Sequence, residues 1–154
     1  MSPATTNFEN GHATRARSAD QTLQRIAWLL LFVAVTLGVA SALHLSGGVR
    51  GSPPFDADHA GLAEALIGVV LAGCALVMLR TPARARAAGL IGTAFAVVGF
   101  GVGLSFTVRG GHAPDIAYHV VLLPVLLAAF VVLVRHRPPN RPGAPASTSA
   151  VGVA

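Results

Sequence analysis

The sequence predicts an all-α membrane protein, an antiparallel up-down-up-down four-helix transmembrane bundle. Three observations predict it. Hydrophobic residues make up 53% of the 154-residue chain and charged residues 11%, against the roughly 25% charge of soluble domains. Four apolar runs each approach the roughly 20 residues that a helix needs to cross hydrocarbon. Short Gly- and Pro-rich connections separate those runs, and most of the arginines stand beside them.

Residues 1–22 are polar, without periodicity, and read as a disordered cytoplasmic arm. Ser18, followed three residues later by Gln21, forms a capping-box pattern just ahead of the first apolar run. The transmembrane domain is read as 23–137, with spans at about 26–45, 60–79, 87–108 and 116–134. The first span, IAWLLLFVAVTLGVASALHL, measures about 30 Å as a helix, one hydrocarbon thickness. Ala40, Ser41 and Ala42 match a small-residue cleavage pattern. The leader is long and the apolar stretch exceeds that of a signal peptide, so the span is read as retained.

The second and third spans are joined by RTPARAR, and the third and fourth by RGGHAPD, in which Pro114 suits the first turn of a helix. Short connections make successive helices antiparallel neighbours. Pro124, inside the fourth span, removes one backbone hydrogen bond and predicts a kink. Residues 138–154 are rich in Pro, Ala and Ser and read as a disordered cytoplasmic tail.

Orientation follows from the arginines, because basic residues are retained on the cytoplasmic side. Nine of the eleven (Arg15, Arg17, Arg25, Arg80, Arg84, Arg86, Arg135, Arg137 and Arg141) fall on one side, and Arg50 and Arg109 on the other. The expected location is therefore the cell membrane, multi-pass, with both termini cytoplasmic. The complete absence of Lys reads as codon bias, and without aromatic residues interleaved among the arginines no nucleic-acid surface is predicted.

Helices in lipid associate through close packing and interhelical hydrogen bonds, so small residues mark their interfaces. Gly92, Ala96, Gly99, Gly103 and Thr107 make one stripe on the third span. Gly61, Glu64, Gly68, Ala72 and Ala75 make another on the second. Gly68, Gly92, Gly99 and Gly103 are the packing residues expected from these stripes. Trp28 and Tyr118 lie near opposite membrane boundaries and read as interfacial anchors. The lone Cys74 lies mid-span and permits no intrachain disulfide.

Chemistry concentrates on the non-cytoplasmic side, which gathers His44, His59, His112 and His119 with Asp56, Asp58, Glu64 and Asp115. His44 ends the first span, Glu64 lies about one turn into the second, and His119 about one turn into the fourth, at similar depth. An ionisable group in a span calls for a partner or a purpose. Several readings stay open: a hydrogen bond from His44 or Ser105 to Glu64 that fastens helices; a divalent-metal site of His44, Glu64 and His119 with Asp115 behind it; haem held by His44 and His119; and a proton relay. Asp115 and His119 are four apart, on one helix face.

No nucleophile elbow, phosphate-cradling glycine loop or zinc-protease motif occurs, so an enzyme is not predicted. The expected role is that of an accessory or scaffold subunit or a homo-oligomer. Its partners are then the bilayer and copies of itself or other membrane proteins. The alternative is an outer-face His and carboxylate site that binds a metal, haem or small ligand, or relays protons.

Overall fold

A computed structural model describes residues 3–111 and 113–136 of the chain. His112 and the 138–154 tail lie outside the described residues. The architecture is all-helical: α1 spans Pro3–Leu45, α2 Ala57–Arg80, α3 Pro82–Gly110 and α4 Ala113–Arg135. All four contain a stretch long and apolar enough to cross a membrane, that of α1 being Asp20–Leu45.

Helix α1 begins ahead of Ser18, where the capping pattern places its start. Residues 4–17 contain no proline to interrupt a helix. The Ser18 carbonyl accepts a hydrogen bond from Thr22 Oγ1 within the helix at 3.0 Å. At 43 residues α1 is roughly 65 Å long, well beyond one hydrocarbon thickness.

The connection between α2 and α3 is the single residue Thr81. Its N–H closes α2 on the Val77 carbonyl at 2.8 Å, and its own carbonyl accepts from Arg84 N–H at 2.9 Å. Pro82 opens α3, because a first-turn residue has no intrahelical use for the donor that proline lacks. At the start of α2, Asp56 is the N-cap and accepts from the His59 backbone N–H at 3.0 Å. That bond holds the Asp56 carboxyl below the usual carboxylate range. Helix α4 continues through Pro124.

Each helix packs against its neighbour in sequence, α1 against α2 most extensively, while α1 meets α3 and α4 more thinly. The core is built from Leu30, Val33 and Leu37 of α1, Leu71 of α2, Phe100 of α3, and Leu126 and Leu133 of α4. Around it the surface inverts the soluble pattern: Phe32, Val69, Ile91 and Val98 all face outward with more than half of their area exposed. Large outward apolar side chains on every face are what a lipid solvent requires.

Small residues let the backbones approach. A Cβ on Gly68 would stand 3.3 Å from the Ala34 carbonyl oxygen of α1, and one on Gly92 would stand 2.9 Å from Cys74 Cβ of α2. At one end of the bundle, Arg86 of α3 donates through Nε to the Leu133 carbonyl at 3.0 Å and through Nη2 to that of Val134 at 3.2 Å. It thereby satisfies carbonyls that the end of α4 leaves free. At the other end, the Ser52 N–H of the α1–α2 connection donates to the Gly110 carbonyl at 2.8 Å. Gly110 is a close-approach position, since a Cβ there would overlap the Ser52 carbonyl.

Candidate functional site

The last turn of α1 points His44 into the bundle, where only 2% of the residue is exposed. Its Nδ1 lies 2.7 Å from Glu64 Oε2 of α2, and its Nε2 lies 3.3 Å from Asp115 Oδ2 of α4. One imidazole thus joins three helices. Glu64 is itself buried, and Gly61, one turn earlier on the same face, brings α2 close to His44: a Cβ there would stand 3.1 Å from His44 Cβ. Phe55, buried in the α1–α2 connection, covers the imidazole with its ring centroid 5.9 Å away.

An imidazole nitrogen and a carboxylate oxygen share a hydrogen bond only with a proton between them. Each of the two contacts therefore holds one proton, whichever atom carries it.

The residues expected at this end are divided. His44 and Glu64 bond one another, whereas His119 turns back along its own helix and places Nδ1 2.8 Å from the Asp115 backbone carbonyl. The Asp115 carboxylate reaches across to His44 instead of to the histidine four residues away. Ser105, the other partner expected for Glu64, donates to the Val102 carbonyl. Among the described residues, no group of three or more His, Cys, Asp or Glu side chains has an arrangement that could hold a metal ion. Both His44 nitrogens face carboxylate oxygens, which leaves neither aimed at an open coordination position.

His119 fits its place because Gly103 of α3 has no side chain: a Cβ there would stand 2.8 Å from His119 Nε2. The His119 ring packs 5.1 Å from that of Phe100. Tyr118 is turned inward, its hydroxyl 3.0 Å from Thr36 Oγ1, where its position along the chain suggests a boundary anchor. This second polar tie between α1 and α4 is unmarked in sequence, because a threonine mid-span reads as packing.

Beside the triad lies a cavity of about 510 Å³, chiefly between α2 and α3. Its walls are predominantly apolar, and Phe95, Phe100 and Phe106 contribute aromatic rings. His44, Glu64, Asp115 and His119 line one part of it, and the exposed Asp56 and His59 lie at one edge. Leu66, Phe95, Val102 and Phe106 also line it while remaining exposed on the outer surface of the helices. No arginine lines it among the described residues. The volume falls in the range of small-molecule sites, which are mostly apolar with a few convergent polar groups. Sequence reasoning located the polar groups but not the cavity, which depends on how far α2 and α3 splay.

No family model, curated protein or solved structure matches this chain.

Proposed function

We propose that this chain is a multi-pass cell-membrane protein that binds a small amphiphilic molecule in the α2–α3 cavity, with the ligand's polar end at the His44 triad. One observation supports this reading above the rest: a buried, three-helix hydrogen-bonded cluster of ionisable side chains lines a mostly apolar cavity of ligand size. A bundle serving only as scaffold has no need of that cavity, and the insertion cost of a spanning carboxylate favours a purpose. The exposed Leu66, Phe95, Val102 and Phe106 give an apolar molecule a lateral route from lipid. Asp56 and His59 put the opposite edge in contact with water.

In this reading the helices run up-down-up-down with both termini cytoplasmic, so the triad faces the outside. The arginine asymmetry supports that orientation. The one-residue Thr81 connection supports the hairpin, since it leaves no length for a return across the bilayer between α2 and α3.

The test is photolabelling of the full chain in lipid nanodiscs with a diazirine-bearing benzyl alcohol, followed by peptide mapping. Label is expected to concentrate on the cavity stretches of α2 and α3 above the level on lipid-facing α4. Ala63 lines the cavity and is exposed, so Ala63→Trp fills the site without entering the core and should remove the excess label. Uniform labelling of all four helices, unchanged by Ala63→Trp, sinks the proposal.

A further inference from the structure

The cavity's charge distribution selects a ligand class. Resting on the binding role proposed above, we infer that the site takes an organic monocation, an aryl- or alkylammonium whose positive head meets the carboxyls of the His44–Glu64–Asp115 triad while its apolar body fills the cavity. Three observations converge on this chemistry.

The first is charge. The lining carries three carboxyl groups, those of Asp56, Glu64 and Asp115. Among the described residues the lining contains no arginine, and the sequence contains no lysine. Among the described residues, the titratable groups facing the cavity are His44 from α1, Asp56 from the connection, His59 and Glu64 from α2, and Asp115 and His119 from α4. None comes from α3. A buried negative charge in an apolar setting is stabilised by any monocation that reaches it, since Coulomb attraction strengthens as the surroundings dry. An anionic ligand meets the same charge as repulsion.

The second is the wall. Phe95, Phe100 and Phe106 line the cavity beside the acidic cluster, and aromatic faces attract desolvated ammonium groups. The third is size. A bare metal ion needs a compact shell of ligating atoms, and no such group of side chains exists among the described residues. A cavity of about 510 Å³ with mostly apolar walls accommodates an organic body instead.

The photolabel supplies the assay, with three competitors of one shape: benzyltrimethylammonium, benzyl alcohol and benzenesulfonate. Because the ammonium is quaternary, its charge is fixed at every pH. Benzyltrimethylammonium is expected to protect the α2–α3 stretches at a concentration at least about tenfold below benzyl alcohol, a factor equal to one decade in Kd. Benzenesulfonate should protect least. Glu64→Gln removes one carboxyl group at nearly constant shape and should reduce the ammonium's advantage over benzyl alcohol. Asp115→Asn serves the same purpose if Glu64→Gln does not assemble. Equal protection by the ammonium and the alcohol in the unsubstituted chain overturns the cation assignment and leaves the cavity as a neutral-ligand site. Failure of all three competitors to protect overturns both the assignment and the binding role.

Discussion

His44 occupies a position where one side chain decides the arrangement of three helices, and its energetics follow from its surroundings. Hydrogen bonds between spanning helices couple by about 0.6 kcal/mol on average, up to about 2. The His44–Glu64 bond is short and buried on both sides, at 2.7 Å, which places it toward the upper end of that range. A double-mutant cycle of His44→Ala and Glu64→Gln, read by reversible unfolding in mixed detergent, is expected to give about 1 to 2 kcal/mol of coupling. Additivity within about 0.3 kcal/mol would mean that the pair does not hold in the membrane. The sequence made this pair readable, because His44 closes one span and Glu64 opens the next at equal depth. It concealed the choice made by Asp115. Four-residue spacing points that carboxylate at His119, yet the backbone carbonyl of Asp115 occupies His119 Nδ1 and the carboxylate is left to cross to α1. A rotation of α4 by one residue, 100° about its axis, would undo the contact, and no sequence pattern sets that angle.

At the scale of the helix, the apolar runs declared themselves because hydrocarbon imposes both length and composition. Helix ends were less legible. Apolar periodicity marks only the lipid-buried part, whereas α1 extends toward Pro3 and α3 starts at Pro82 through backbone hydrogen bonding, which polar residues support equally well. Glycines also divide in a way that composition does not reveal. Gly68 abuts the Ala34 carbonyl of α1, but Gly73, five residues on, has nothing within 4 Å of its missing Cβ. Gly73→Ala should therefore leave the bundle intact and stabilise it by up to about 1 kcal/mol through helix propensity. Gly68→Val forces α1 and α2 apart and should cost about 1 to 3 kcal/mol. Thermal unfolding of both variants in the same detergent checks the contrast, and equal midpoints for the two would mean that α1 and α2 do not touch at Gly68.

For the whole molecule, the end that faces out decides where the ligand comes from, since an outward triad meets ligands from the medium and an inward one meets those of the cytoplasm. The placement of the arginines favours outward. Arg25, Arg80, Arg84, Arg86 and Arg135 stand toward the helix ends opposite the triad, and moving that many guanidinium groups across a bilayer runs against the bias that sets topology. Helix α3 then presents its arginine-rich start, where Arg86 already secures the last carbonyls of α4, to the cytoplasm. The chain has a single cysteine, Cys74, so a Cys74→Ser background carries no thiol and accepts one reporter at a time. Ser52→Cys places a thiol in the exposed α1–α2 connection, and Ala83→Cys places one at the exposed start of α3. A membrane-impermeant maleimide added to intact cells should label Ser52→Cys and spare Ala83→Cys until the cells are opened. The reverse pattern would turn the cavity toward the cytoplasm, where its cation would have to be a cellular amine. Labelling of both sites on intact cells would remove the hairpin of α2 and α3, and with it the four-span arrangement that brings His44, Glu64 and Asp115 to one depth.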